Sequence, residues 1–280
     1  MDTPLYVESD FWKDFLHRRS VFNPGMHQVA RRRGQDLWTF GELWTHSEAW
    51  SDQGEKEAAS YTLPGQGMEA ALQFPLQKTL MEVLGGTRGT AHLSYRLEAQ
   101  QRHFPNPLTR IQFLDNHDMP RMNADDHGFI DAHNWLFTAR GIPVIYYGSE
   151  TGFMRGKAEH EGNRNYYGQA RIDAGLNHPI YRALQRIANI RRGSVALQQG
   201  LQLNLLLKGD RAAFLRVFQH GDVAQTALVL LNKGDTPARF DIKDMLQGGE
   251  WRSAISGDTV RLDAAKPRLK TQVPAHGVEV

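Results

Sequence analysis

The chain changes its pattern at about residue 195, and this change constrains the fold more than any other feature. Before it, short apolar runs alternate with segments whose apolar residues recur at helical spacing. After it, strand-like segments are separated by turn sequences at 208–210, 220–222 and 233–235. Alternating strands and helices predict a parallel sheet covered by helices. We therefore expect an α/β region at 1–195 and a small antiparallel β-domain at 196–280.

The periodic segments define the predicted elements. Helical spacing predicts helices over 9–19, 75–84, 95–103, 128–139 and 180–192. Apolar runs predict buried strands over 36–44, 67–74, 109–114 and 142–147. In the second region, strands are predicted over 201–207, 212–218, 226–232, 238–242 and at the end, 278–280.

Composition excludes several classes of protein. Hydrophobic residues make up 40% of the 280 residues, which is enough for a sizeable core. The formal net charge of +2 gives no indication of nucleic-acid binding. The absence of cysteine excludes disulfides, and no run of about 18 apolar residues predicts a membrane span. The first residues lack the basic start and apolar segment of a signal peptide.

Three carboxylates stand where catalytic groups occur in barrels of parallel strands. Glu42 ends the run 36–44, Asp118 follows the strand 109–114, and Asp2 begins the chain. Catalytic side chains of such barrels lie at the C-terminal ends of the strands. Any one of these acids could equally cap a helix or form a surface ion pair, so the position alone leaves both interpretations open.

The residues around these acids resemble a known family. Asp115-Asn116-His117-Asp118 resembles the Asn-His-Asp motif of the α-amylase family, glycoside hydrolase family 13, and Phe40-Gly41-Glu42-Leu43-Trp44 resembles its acid/base segment. Further resemblances follow in the family's order: 68–80 to the sixth strand and its helix, 139–150 to the eighth strand and its loop, and 163–164 to an Asn-Arg pair. Together they cover nearly the whole chain.

The resemblance implies an α/β fold, namely the C-terminal half of a (β/α)8 TIM barrel followed by a small antiparallel β-sandwich domain. Residues 1–195 would run from the end of strand 4 through helix 8, and 196–280 would form the sandwich. Met1-Asp2-Thr3 is similar to the tail of the family's nucleophile motif, Gly-Phe-Arg-aliphatic-Asp-Thr. We therefore expect the sequence to be truncated at its N-terminus, within that motif.

The resemblance also implies roles for individual residues. Asp2 would be the nucleophile, Glu42 the general acid/base, and Asp118 the carboxylate that holds sugar hydroxyls and favours the distorted ring. The expected substrate-binding residues are His117, Asn116, Arg164, Trp44 and Tyr6. Structural alternatives remain open: a satisfied histidine at 117, a salt bridge at Arg164, and core packing for the two aromatic residues. No metal ligand or cofactor is expected in this chain, although a full-length protein could bind calcium through a loop domain that is absent here.

Three residues depart from the family's pattern. Leu5 and Tyr6 stand where the family often has Lys-His, which leaves the acceptor-side contacts in doubt. His160 stands where an acidic residue is often found before the Asn-Arg pair.

The expected function is therefore a retaining enzyme acting on α-1,4-glucosidic bonds of starch-like glucans, by hydrolysis or transglycosylation. Its partners would be starch, maltooligosaccharides or cyclodextrins, with no nucleic acid and no membrane. This chain alone is expected to be inactive, because the first barrel strands are missing. The alternatives are a non-catalytic glucan-binding protein or a decayed gene fragment, and an unrelated α/β barrel with a β-domain. The compartment cannot be predicted from the residues, and export is only the family's tendency.

Overall fold

The computed structural model describes all residues from Met1 to Val280. Its α-helices are α1 Ser9–His17, α2 Met26–Arg32, α3 Gln53–Ser60, α4 Phe74–Leu84, α5 Ala91–His103, α6 Asp126–Thr138, α7 Gln169–Gly175, α8 Pro179–Arg192 and α9 Val195–Gln199. Its strands are β1 Phe40–Gly41, β2 Ala70–Ala71, β3 Ile111–Gln112, β4 Ile142–Pro143, β5 Leu201–Lys208, β6 Arg211–His220, β7 Val223–Asn232, β8 Ala238–Ile242, β9 Gly249–Arg252, β10 Thr259–Leu262, β11 Leu269–Val273 and β12 Gly277–Glu279. No helix combines the length and the apolar character that crossing a membrane requires.

The four strands of the first region lie side by side in parallel. β1 pairs with β2 and β3 pairs with β4, and a parallel bridge from Leu72 to Ile111 joins the two pairs. The first residue extends this arrangement, because the Met1 ammonium donates to Phe40 O and Glu42 N donates to Met1 O, both at 2.9 Å. The strands therefore follow one another in chain order, and their C-terminal ends meet at one edge.

Each of these strands lies inside a predicted apolar run, but its paired part is only two residues long. β4 illustrates the reason, because Pro143 has no N–H to donate to a ladder. Hydrogen bonds continue around it from Ile142 N to Arg110 O and from Val144 N to Gln112 O, both at 2.8 Å. The predicted strand 142–147 is thus correct in position and too long as a regular element.

Helices α4, α6 and α8 cover the sheet and form its main core. The predicted helix 75–84 is α4, which carries a proline in its first turn and ends before Gly85. The predicted helices 128–139 and 180–192 are α6 and α8, with ends shifted by one or two residues. Helices α2, α3, α7 and α9 were not predicted, because five to eight residues are too few for a clear apolar period.

The second region consists of antiparallel strands. β12, β7, β6 and β5 form one sheet in that order, and β8 pairs with β11 while β9 pairs with β10. The turns predicted at 208–210 and 220–222 join β5 to β6 and β6 to β7, with Gly209 and Gly221 at φ of 58° and 55°. Buried side chains of the four-stranded sheet form one apolar cluster with those of β8 and β11, and this cluster includes Leu230 and Phe240.

One core connects the two regions. Trp135 of α6 and Phe214 of β6 are fully buried, and their rings meet edge to face with centroids 5.7 Å apart. The same core of 21 buried residues contains Leu80 of α4, Ile187 of α8 and Val229 of β7. The strands after residue 200 are therefore packed directly onto the helices that cover the parallel sheet.

A polar contact lies beside this shared core. His276, in the turn before β12, contacts the α6 carboxylate of Asp131 through Nδ1 at 2.7 Å and that of Asp235 through Nε2 at 3.0 Å. Burial raises the pKa of Asp131 to about 7, although the hydrogen bond from His276 opposes the rise. Burial alone would lower the pKa of His276, but its bonds to Asp131 and Asp235 outweigh this and raise it.

This contact predicts that the protein loses stability as pH rises through about 7. Both groups bind their protons more tightly in the folded than in the unfolded state, so the stabilisation is present at low pH and disappears as the folded groups deprotonate. For one proton the slope reaches about 1.4 kcal/mol per pH unit. Urea unfolding at pH 6 and pH 8 measures how far the free energy of unfolding falls between the two pH values. The fall should be larger for the wild type than for Asp131→Asn. The matched control is Asp222→Asn at an exposed turn, which should keep the wild-type dependence of the free energy of unfolding on pH. The prediction is contradicted if Asp131→Asn also keeps the wild-type pH dependence.

Candidate active site

The parallel sheet brings the predicted acids to one edge. Glu42 directly follows β1, and Asp118 lies in the loop after β3. Asp2 reaches the same edge because the backbone of Met1 pairs with the β1 segment. A carboxylate oxygen of Glu42, a carboxylate oxygen of Asp118 and a ring nitrogen of His117 all lie within 4.8 Å of one another. Four residues that are far apart in the sequence, at positions 2, 42, 117 and 118, thus lie close together.

Glu42 has the environment of a general acid. Its carboxyl is partly buried, and burial is the main cause that raises its pKa. A hydrogen bond with the Asp2 carboxyl and the negative charges of Asp2 and Asp118 raise the pKa further, while the positive field of His117 lowers it. A pair in which one carboxyl keeps its proton and the other is ionised can carry out acid/base and nucleophilic steps together.

Asp118 is fixed by three neighbours. Its backbone N–H donates to Asn116 Oδ1 at 2.9 Å, which closes a tight Asx turn. Its carboxylate contacts His117 Nε2 at 3.1 Å and is hydrogen-bonded by the Arg164 guanidinium. The side-chain nitrogen of Asn116 is buried and has no hydrogen-bond partner, so in this geometry Asn116 shapes the turn and does not face solvent.

The Asn163-Arg164 pair clamps the same loop. Asn163 Nδ2 and Arg164 Nε donate to the backbone oxygen of His117, at 2.6 and 3.0 Å. The hydroxyl of Tyr146, which follows β4, donates to Asn163 O at 2.7 Å. Arg164 thus forms the salt bridge with Asp118 that was its structural alternative, and the bond lies within the cluster of candidate catalytic groups.

Two buried residues beneath the site were missed in the sequence. Asp115 accepts hydrogen bonds from Ser149 Oγ and Met122 N, both at 2.7 Å, and burial raises its pKa. Arg121 lies 3.9 Å from Asp115 and donates to Tyr147 O. Asp115 stands in the same four-residue motif as Asp118, so its position directly after the strand was the available signal.

The two aromatic candidates differ in their surroundings. Trp44 stacks on Phe74 with ring centroids 4.9 Å apart and 14° between the planes, yet 37% of it is exposed. One ring face is thus packed, while part of the side chain remains open to solvent. Tyr6 is 89% exposed in the short turn Pro4–Tyr6, so it is not part of the core.

The side-chain groups that could hold an ion do not resemble a calcium site. Both contain histidine, namely His17 with His27 and Glu69, and the Glu42 cluster. Calcium is bound by six to eight oxygen ligands, which neither of these three-residue groups supplies. A cleft of about 870 Å³ lies between α8, β9 and β11, and none of the three candidate carboxylates lines it.

Carboxylates grouped at the C-terminal ends of parallel strands are the arrangement that barrel enzymes use to cleave glycosidic bonds. The family profile described as "Alpha amylase, catalytic domain" matches residues 11–198. The chain therefore belongs to the α-amylase family.

Curated relatives and solved structures agree with this assignment. The β/α-amylase of Paenibacillus polymyxa is 25% identical over 94% of this chain and 20% of its own length. A cyclomaltodextrin glucanotransferase of Bacillus sp. strain 38-2 is 26% identical over 66% of this chain and 26% of its own length. The crystal structure of an Anoxybacillus α-amylase superposes with a TM-score of 0.79 at 21% identity, over 99% of this chain and 56% of that one. The chain has the fold of the matching part of that enzyme, and it spans about a fifth to a quarter of these two curated relatives.

Proposed function

We propose that the chain supplies the acid-bearing half of a retaining α-glucan enzyme, which hydrolyses or transfers α-1,4-linked glucosyl units of starch-like glucans. The observation that carries the proposal is the contact of Glu42 with Asp2 beside Asp118, where burial and the two acids raise the pKa of Glu42. The named activities of the relatives, α-amylase and cyclomaltodextrin glucanotransferase, support the substrate class.

In the proposed reaction, an Asp2 oxygen attacks the anomeric carbon while Glu42 donates its proton to the departing glycosidic oxygen. The carbon–oxygen bond to the leaving sugar breaks, and a covalent glucosyl ester forms on Asp2. Glu42, now ionised, takes a proton from water or from an acceptor hydroxyl, which attacks the same carbon and releases Asp2. Asp118 and His117 would hold hydroxyls of the reacting sugar, with Arg164 keeping Asp118 in place.

We also propose that 1–195 is the partial barrel and that 196–280 is a β-sandwich that shields one side of it. The apolar cluster that the four-stranded sheet shares with β8 and β11 supports a two-layered arrangement. The contact between Trp135 and Phe214 supports its docking on the barrel helices. No substrate contact is assigned to this region.

The purified 280-residue chain is expected to release no measurable reducing sugar from soluble starch. The Asp2 side chain is exposed, and Ile142 and Val144 at the other edge of the sheet are more than a third exposed. A carboxylate at a free sheet edge is poorly held for attack, and precise positioning supplies a large part of catalysis. Sugar release by this chain, abolished by Glu42→Gln, would contradict the prediction.

A completed barrel tests the proposed function itself. We define it as a fusion in which the first barrel strands of the Anoxybacillus α-amylase precede Asp2. The fusion should release sugar from starch, whereas the same fusion with Asp2→Asn should not. Cyclic products would identify a transferase, and short linear maltooligosaccharides a hydrolase. A folded fusion that binds maltooligosaccharides without turnover would favour the non-catalytic alternative, in which the partly exposed Trp44 would bind sugar.

A further inference from the structure

Three polar side chains meet at the N-terminal ends of the parallel strands, whereas Glu42 lies at the C-terminal ends. His17 ends α1, His27 lies in the first turn of α2, and Glu69 directly precedes β2. One ring nitrogen of each histidine and a carboxylate oxygen of Glu69 lie within 4.8 Å of one another. We call these residues the His17–His27–Glu69 cluster. It lies outside the groups used in the proposed reaction.

The cluster contains a polar atom that the protein leaves unsatisfied. His27 Nε2 is buried and has no hydrogen-bond partner, although it lies 3.0 Å from Glu69 Oε1. A buried nitrogen without a well-formed hydrogen bond is costly, because it has lost its water and the nearby carboxylate replaces that bond only in part. An ion placed between this nitrogen and the carboxylate would satisfy both.

The remaining polar atoms of Glu69 and His17 are held by hydrogen bonds to neighbouring groups, while the two histidine rings lie nearly parallel with centroids 4.7 Å apart. The second oxygen of Glu69 accepts from Thr39 N at 2.8 Å and from Thr39 Oγ1 at 2.5 Å. His17 Nε2 lies 2.6 Å from the backbone oxygen of Gly67. When Nε2 carries the proton for that bond, Nδ1 holds the lone pair that can bind a metal. Bonds from metal-binding histidines and carboxylates to backbone and side-chain groups fix their orientation in this way.

We propose that the His17–His27–Glu69 cluster binds Zn²⁺, with water completing four-coordination. Two imidazole nitrogens and one carboxylate are a ligand set that zinc prefers. Zinc bonds of about 2.0–2.2 Å place neighbouring ligand atoms roughly 3.3 Å apart, close to the 3.0 Å between His27 and Glu69. The third donor lies at most 4.8 Å away, so the His17 ring has to turn towards the other two ligands when the ion binds.

The bound ion would tie three segments together. α1 and α2 pack on each other at the margin of the sheet, and the smaller core beneath them contains only eight buried residues. An ion that joins both helices to the residue before β2 stabilises the folded state, because it binds there and not to the dispersed ligands of the unfolded chain. This role does not depend on whether the protein turns over glucan.

Zinc titration of the full 280-residue chain tests the site, with folding verified by far-ultraviolet circular dichroism. We expect one zinc per chain at this site, a rise in melting temperature, and the intense visible spectrum of four-coordinate Co²⁺ when cobalt replaces zinc. His27→Ala and Glu69→Gln should each remove this ion. The matched control is His117→Ala, which disrupts the other histidine-containing cluster and should leave the ion and the cobalt spectrum unchanged.

Thr39→Val provides a milder variant that keeps all three ligands. Loss of such an orienting bond typically weakens metal binding 10–100-fold, and we expect a shift of this size in competition with a chromophoric chelator. The proposal is overturned if the folded wild type binds no zinc at equimolar concentration. It is equally overturned if His27→Ala and Glu69→Gln keep the wild-type stoichiometry and affinity, or if only His117→Ala removes the ion.

Discussion

In the completed-barrel fusion, Glu42→Gln should lower kcat on soluble starch by about 10²–10⁴-fold, the usual contribution of a positioned general acid. The amide has nearly the same shape as the acid but has no proton to donate to the leaving sugar. The loss should be much smaller with α-glucosyl fluoride, because fluoride departs with little need of protonation. Initial rates on the two substrates measure the difference.

Glu48→Gln is the matched control for this prediction. Glu48 lies six residues further along the same segment, and its side chain is 84% exposed beside Lys78. Its amide variant should retain the activity of the fusion on both substrates. Equal losses on starch and on glucosyl fluoride in Glu42→Gln would show that Glu42 does not act by protonating the leaving group.

Phe214→Ala should lower the free energy of unfolding by about 3–5 kcal/mol. The Phe214 ring is fully buried and meets Trp135 in the core shared by the α6 helix and the β6 strand. Its removal leaves a cavity that neither the helix nor the sheet can fill without moving. Because whole proteins are stable by only about 5–15 kcal/mol, urea unfolding should show a large fall in the midpoint.

Phe22→Ala is the control for the stability prediction, because Phe22 is 99% exposed. The same deletion of a ring should there change the free energy of unfolding by less than about 0.5 kcal/mol. Similar small effects in both variants would mean that the strands after residue 200 are not packed on α6 as described.

Much of the fold could be predicted where one face of an element is buried. α4, α6 and α8 pack one side on the core, which produces the apolar period in their sequences. β9 and β10 were not predicted, because their sequences have little apolar periodicity. β10 has one buried residue, Leu262, and β9 has none. The parallel strands were located, but their short ladders depend on tertiary pairing that a local pattern does not contain.

Part of the candidate site could also be predicted from the sequence, and part could not. The motif residues Glu42, His117 and Asp118 were predicted together, and the structure brings them together. The effect of Asp2 on the pKa of Glu42 and the turn-forming role of Asn116 depend on atomic positions, which no residue spacing specifies. The assignments of nucleophile, acid and sugar-binding residues remain predictions for the variants above.

The core that contains both Trp135 and Phe214 has a consequence for recombining this family's genes. A crossover near residue 195 follows the change in secondary structure, but it separates side chains that fill one another's space. A β-region taken from a relative would arrive with a surface shaped for another α6, and the mismatch would appear as cavities or overlaps. Exchanges that carry α6 together with the strands after residue 200 keep both halves of this contact from one parent.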